Sequence, residues 1–390
     1  MDNLTHTLVG LAAAKAGLER LSPRATAVCI MAANAPDTDI LGLLGGRWFY
    51  LHNHRGITHS LAGVFTFALL IPLAFYLYDR LMARRRGREP RVRFKGLLLA
   101  SVLLCLSHPL LDWTNNYGVR PFLPWSGRWF YGDLVFIVDP WIWLSIGGAC
   151  FLLTAKNRRR TIVWAVIAAG LSLLVLSARL ETAGLEHPNL FRAVWFGALA
   201  CLGLAHWRNV SARFGSRLAV AALSFVVLYW GALSFLHRSA LVRAESAANH
   251  LASSRRESVG RVAAMPLLAS PLRWRCLAET DRATYLFDLT LGAQDYEALE
   301  SRAVRYEKPA GEEAALVTRA AQDERARILL NFARFPVTRI EGDCVSQAIV
   351  QFADLRYTEP GRGARGSGGF AAVDIPVNCG LEAGKQDSNE

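Results

Sequence analysis

The segment SHPLLDW, residues 107–113, sets His108 and Asp112 four residues apart near the end of an apolar run. On a helix that spacing puts both side chains on one face, where an imidazole and a carboxylate can grip one metal ion or bridge two. Ionisable groups in so apolar a stretch are costly and usually functional. Further candidates lie upstream: His6 in NLTHTLVG, Asp37 and Asp39 in NAPDTD, and His54, Arg55 and His59 in HRGITHS. Pro36 breaks the helix ahead of the two aspartates and frees backbone groups, which membrane proteins tolerate where a cavity is lined. His54 and His59 flank Gly56 at a spacing of five, so only a non-helical kink aims both at one point. One of them can ligate while the other acts beside it. Arg55 offers a fork suited to phosphate or carboxylate.

Imidazole with carboxylate is a donor set for one or two divalent ions, zinc before manganese or iron. Such an ion acidifies a bound water and polarises an ester. His6, His108, Asp112 and one or both of His54 and His59 would hold it. Asp37 or Asp39 would ligate or serve as general base, and Arg55 would stabilise a phosphoryl oxygen. Asp133 and Asp139 are candidates for substrate contact or a further metal position.

The elements that must position these residues are membrane spans. The chain has 390 residues, 52% of them hydrophobic, too apolar for an ordinary soluble enzyme of this size. Apolar runs long enough to cross a bilayer occupy 60–79, 96–112, 134–155, 161–180, 190–206 and 218–236, after two shorter helices near 4–18 and 24–44 that form an antiparallel hairpin. Residues 1–240 hold 25 Lys and Arg against 11 Asp and Glu, whereas residues 241–390 hold 19 against 21. The basic balance belongs to the apolar part, where it reports membrane topology, and no nucleic-acid partner is expected.

Basic loops around Arg84–Arg93, Lys156–Arg160 and Arg208–Arg217 face the cytoplasm by the positive-inside rule. His6, Asp37, Asp39, His54, His59, His108 and Asp112 then reach the opposite, outer face together. Aromatics at Trp125, Trp129, Phe130 and Tyr131 read as an interfacial belt. The N-terminus lacks the basic stretch of a signal peptide. Cys29, Cys105, Cys150 and Cys201 read as packing residues, and Cys276, Cys344 and Cys379 allow one disulfide.

The fold class expected is mainly α: a polytopic membrane helix bundle bearing a metal site, with a small C-terminal α+β extramembrane domain. Residues 1–155 form the metal-site domain, 156–240 additional spans, 241–360 the extramembrane domain, and 361–390 a disordered tail. The C-terminal part contains no GxSxG nucleophile.

The stretches NLTHTLVG, APDTD, HRGITHS and HPLLDWTNNYG, then GD and VDP, resemble in order the LexA-binding, inner-membrane-associated metal-dependent hydrolase family. ARFP and DLRY look like the C-terminal extension of its longer members. That family is distantly similar to zinc-dependent phospholipases C and single-strand nucleases. The resemblance implies a ligand order that His6, Asp37 or Asp39, His54 or His59, His108 and Asp112 reproduce. The downstream His…His…Glu set has no counterpart here, and Met1 is no obvious ligand, so one or two ions are expected. The implied activity is hydrolysis, with a membrane lipid or lipid-linked phosphoester as substrate and a regulatory protein as a further partner. The location implied is the inner membrane, with the site and C-terminal domain periplasmic. The alternative is a non-enzymatic membrane protein with a structural metal site and an external interaction domain.

Overall fold

A computed structural model describes residues 1–177, 185, 187–292, 296–342, 347–361 and 370–378. The chain is mainly helical and divides into two compact units. The first comprises residues 1–41, 55–240 and 265–274, and the second residues 42–54, 241–264 and 275–390.

The first unit begins with a hairpin of α1 (Asn3–Ala16) and α2 (Ala25–Asn34). Asp2 caps α1 by accepting from the Thr5 amide at 3.0 Å. The two helices approach closely because Gly10 has no Cβ; one built there would lie 2.7 Å from the Cys29 carbonyl oxygen. After α2 the chain tightens into a 3₁₀ stretch, Ala35–Gly45. A seven-residue helix, α3 (Arg47–Asn53), belongs to the second unit. The spans α4 (Leu61–Arg85) and α5 (Phe94–Trp113) pack on each other, and α5 also packs on α2. Small buried residues, Ala12, Cys29, Ala32, Ala100 and Cys105, sit in this core.

Asp79 ties down the basic loop after α4, accepting from the amides of Arg91 at 2.7 Å and Val92 at 2.9 Å and from Arg88 at 2.8 Å. Arg93 donates to the Arg20 carbonyl at 2.8 Å, so two basic turns meet at one end of the bundle.

Among the described residues, six helices are long and apolar enough to cross a membrane: 25–45, 61–85, 94–113, 158–177, 188–207 and 217–253. The run expected to span 134–155 is helical only over Pro140–Thr154. It comprises α6 (Pro140–Ile142), a π turn at Trp143–Gly147 and α7 (Gly148–Thr154). At 1.5 Å per residue it is about 22 Å long, short of the ~30 Å hydrocarbon layer. The last spans are α8 (Arg158–Ser177) and α9 (Pro188–Trp207), followed by the short α10 (Val210–Phe214) and the 37-residue α11 (Arg217–Ser253). The helix α11 continues without a break past residue 241, where the extramembrane domain was expected to begin. Cys29, Cys105 and Cys150 are buried, whereas Cys201 is exposed on α9.

The second unit holds two sheets. One has the order β1 (Val259–Leu267), β2 (Ser270–Thr280), β3 (Ala283–Thr290), β4 (Val304–Glu307), with α12 (Tyr296–Arg302) between the last two. The tip of the β1–β2 hairpin, residues 265–274, belongs to the first unit. The helices α13 (Gly311–Ala320) and α14 (Glu324–Phe332) precede the second sheet. That sheet is antiparallel, with the order β5 (Pro336–Glu341), β6 (Gln347–Asp354), β7 (Ala372–Asn378).

The stretch 361–390, read from sequence as a disordered tail, therefore supplies a strand. Its apolar alternation, Val373, Ile375 and Val377 inward, overrides the glycines before it. Residues 362–369 and 379–390 lie outside the described residues, as do Cys344 and Cys379 and thus the disulfide. Cys276 is buried in β2.

ARFP and DLRY come together here. Asp354 accepts from the amides of Arg334, Phe335 and Arg356 and from the Arg356 side chain at 2.8 Å. Arg356 also donates to the Phe332 carbonyl at 2.8 Å and lies over the Phe332 ring.

Candidate metal centre

Four side chains meet inside the first unit: Asp37, His59, His108 and Asp112, each offering a ligand atom within 4.8 Å of the others. His108 and Asp112 come from successive turns of α5, as the i, i+4 spacing requires. His59 closes a short 3₁₀ turn, Ile57–His59, just before α4. Asp37 comes from the 3₁₀ stretch beyond Pro36.

The cage is tight. His59 Nε2 lies 3.3 Å from Asp37 Oδ1 and 3.3 Å from Asp112 Oδ2. His108 Nε2 lies 3.4 Å from Asp37 Oδ1, 3.3 Å from Asp112 Oδ2 and 3.1 Å from His59 Nε2. A regular tetrahedron with edges of this size has its centre roughly 2.0 Å from each corner, the distance at which nitrogen and oxygen ligate zinc. Donor types and spacing fit a divalent cation, and the cluster can hold one.

Both imidazoles are held from behind. His108 Nδ1 is 2.6 Å from the Ala33 carbonyl oxygen. In a 3₁₀ pattern that oxygen would accept from residue 36, but proline has no N–H to give. The helix break thus supplies the acceptor that sets His108 with its Nε2 lone pair toward the cage. His59 Nδ1 lies 3.3 Å from Asp39 Oδ2 and 3.0 Å from Thr58 Oγ1, which orients its Nε2 likewise. Burial pushes the His59 imidazole down to about 3, so the ring is in the neutral form that ligates. Asn3 donates to Asp37 Oδ2 at 2.9 Å and leaves Oδ1 for the cage.

Asp112 faces two ways. Its Oδ2 belongs to the cage, while Oδ1 meets His6 Nε2 at 3.4 Å, Arg55 at 3.0 Å and the α-amino nitrogen of Met1. The His6 ring stacks on His108 at 3.8 Å, and both His6 nitrogens are buried without a hydrogen-bond partner. Two orphaned imidazole nitrogens beside a carboxylate are the second feature that fits a cation.

Not every residue read from sequence arrives there. His54 is outside the cage: it follows α3 in the second unit, and its ring stacks on Tyr50 at 4.6 Å. The kink expected between the two histidines exists, with Arg55 at φ 52°, and of the two His59 is the one among the four clustered side chains. Asp39 stands behind His59 and also accepts from the Arg55 amide at 2.9 Å. Arg55 was expected to meet a phosphoryl oxygen. Instead it is buried, bound to Asp112, the Asn115 side chain at 3.1 Å and the Gly118 carbonyl at 3.1 Å, with Tyr117 under its guanidinium. Its contacts fix Asp112. Asp139 caps α6, accepting from Trp141 at 2.9 Å and from Tyr229 at 3.1 Å, and Asp133 is buried in the preceding loop.

Sequence reasoning missed Asn3, Thr58 and Asn115, although each neighbours a named residue. It set Met1 aside as no obvious ligand; the α-amino nitrogen lies against Asp112 Oδ1, and burial holds the amine well below its ordinary value.

Residues 1–183 match the YdjM inner membrane protein family. Inner membrane protein YbcI of Escherichia coli (strain K12) is 33% identical over 132 residues, 33% of this chain and 70% of YbcI. The chain belongs to the YdjM inner membrane protein family. Uncharacterized protein YfhP of Bacillus subtilis (strain 168) is 32% identical over 155 residues, 37% of this chain; the match spans 44% of YfhP, less than half its length. No solved structure matches. The names YdjM and YbcI state an inner-membrane location and no activity, and with six apolar helices the chain is a multi-pass inner membrane protein. The YdjM match takes in every residue of the cage.

Gly63 gives a direct test of how this YdjM-family fold seats His59. A Cβ there would lie 2.1 Å from the Ile57 carbonyl oxygen and 2.9 Å from Thr58 Cα. Gly63→Ala must push the His59 turn off α4, and metal affinity is expected to fall about 10-fold or more, as when a ligand's support is lost. Gly170→Ala, in open space on α8, leaves it unchanged. Equal metal content in both variants, measured by mass spectrometry of the purified proteins, would show that the turn does not depend on this approach.

Proposed function

We propose that the protein is a metal-dependent hydrolase acting at the outer membrane interface on a lipid or lipid-linked phosphoester. The buried cage of Asp37, His59, His108 and Asp112 carries this reading. A divalent ion there, zinc best by donor type and spacing, would supply Lewis-acid polarisation of an ester oxygen and a water acidified toward neutrality. Asp112 presents Oδ1 and Oδ2 to different partners, which suits it to bridge two ions, the second beside His6. Arg55 positions Asp112 through two contacts, to its carbonyl and its carboxylate, and is itself held by Asn115 and the Gly118 carbonyl. Asp37, the most exposed of the four at 11%, is placed to take a proton at Oδ1 or to ligate through it. The basic turns that meet at one end of the bundle support a periplasmic position for the site under the positive-inside rule.

The test is release of product from a panel of phosphomonoester and phosphodiester lipids by the metal-replete, full-length protein. Turnover should stop with a chelator and in His108→Ala. Hydrolysis that persists in His108→Ala, or no hydrolysis across the panel, defeats the proposal.

One observation favours a second reading, a structural metal site with an external interaction domain. Four protein ligands, three of them fully buried, resemble a closed shell. Cobalt substitution separates the two: inorganic phosphate alters the visible spectrum of an open site and leaves a closed one unchanged.

A further inference from the structure

A second polar cavity lies in the first unit, away from the cage. It measures about 630 Å³ and is lined by Lys15, Arg20, Lys156, Asn157, Arg158 and Ser211, among others. The helix α1 separates the two sites, with His6 in its first turn and Lys15 in its last, so about 13 Å of helix lies between them. Four cations from two chain segments, Lys15 and Arg20 from one and Lys156 and Arg158 from the other, converge here against a single carboxylate, Glu19. That carboxylate is engaged by Lys15 at 2.6 Å and by Thr26 at 3.2 Å. The 20-residue α8 starts at Arg158, adding the positive end of its dipole, and Asn157 accepts from the Arg160 amide at 3.0 Å to shape that turn. The cavity lies where α7 ends, α8 begins and α9 ends. Those helix ends stand at headgroup depth when α8 and α9 cross the bilayer.

We infer that this cavity binds the phosphate of an anionic phospholipid headgroup from the leaflet that the basic turns face. Basic pockets between spans recognise such headgroups by charge and by charge-assisted hydrogen bonds. Thr161 and His206 complete the wall with hydroxyl and imidazole groups, and the neighbouring α8 exposes Ile162, Val163 and Val166 toward the surrounding acyl chains. The inference rests on the membrane reading of α8 and α9 and is independent of the metal cage.

The test compares two double variants of one loop with the same change in charge. Lys156→Gln with Arg158→Gln removes two cavity cations, and Arg159→Gln with Arg160→Gln removes two that do not line it. Full-length protein in detergent is mixed with phosphatidylglycerol and phosphatidylcholine, and retained lipid is read by native mass spectrometry. The wild type and the Arg159/Arg160 variant should retain phosphatidylglycerol about tenfold over phosphatidylcholine, and the Lys156/Arg158 variant should lose most of that preference. Circular dichroism and thermal midpoint establish that each variant is folded. Lys156→Arg with Arg158→Lys, which keeps the charge, should keep the preference. No preference in the wild type, or equal loss in both double variants, overturns the cavity. If millimolar inorganic phosphate raises the thermal midpoint as much as phosphatidylglycerol does, the occupant is a free anion and the lipid assignment is wrong.

Discussion

Asp112→Asn strips the protein of its metal while leaving it folded. Asparagine keeps the volume of the side chain and one oxygen that can still accept from Arg55. It replaces the other oxygen by an NH₂ group, which would point donors toward the space that Nε2 of His59 and His108 share. Losing a group that merely supports a ligand typically costs 10–100-fold in metal affinity. Asp112 is itself one of the proposed ligands and touches His6, Arg55, His59 and His108, so the loss should be about 100-fold or greater. Metal content of the purified variant, with circular dichroism as the check on folding, measures this directly. Full metal content in Asp112→Asn would mean that the cage is not where the ion sits.

The second large effect lies in the other unit. Asp354→Ala removes the carboxylate that pairs with the buried Arg356 guanidinium, in a pair whose two side chains are 0% exposed. Breaking a buried pair by removing one partner costs about 3–5 kcal/mol, a large share of the 5–15 kcal/mol that holds a typical domain. Hydrogen exchange of β5, β6 and β7 should therefore speed up by roughly two to three orders of magnitude, each factor of ten corresponding to ~1.4 kcal/mol. Replacing both partners together, Asp354→Leu with Arg356→Met, should recover much of the protection, because no charge is then left stranded. If the single substitution leaves exchange unchanged, the pair is not what locks ARFP to DLRY.

How much of this was legible beforehand differs by residue. His108 and Asp112 could be read together because helical periodicity alone puts them on one face. His6, Asp37 and His59 could be joined to them only through the basic loops, which fix the end of the bundle each segment reaches. The choice between His54 and His59 was not available, since it depends on the left-handed backbone of Arg55, which no spacing rule supplies. Nor was the acceptor for His108, a main-chain oxygen 75 residues away. In the C-terminal part, the strand at Ala372–Asn378 was hidden by the glycine-rich sequence before it, because composition speaks to the linker and alternation to the strand. The assignment of residues 42–54 to the second unit rests on tertiary contacts, such as Arg47 donating to the Ala372 carbonyl at 2.9 Å, for which the local sequence carries no signal.

The inventory of charge around the cage has one more consequence. Asp37, Asp39 and Asp112 bring three negative charges and Arg55 one positive, while His59 stays neutral. The balance of these groups is minus two, in a place where uncompensated charge is expensive. A divalent cation brings it to zero. An ion bound there would add to the stability of the bundle, because a site organised only in the folded chain returns its binding energy as folding energy. Such an ion would tie together the 3₁₀ stretch after α2, the turn before α4 and the end of α5, which supply the four side chains.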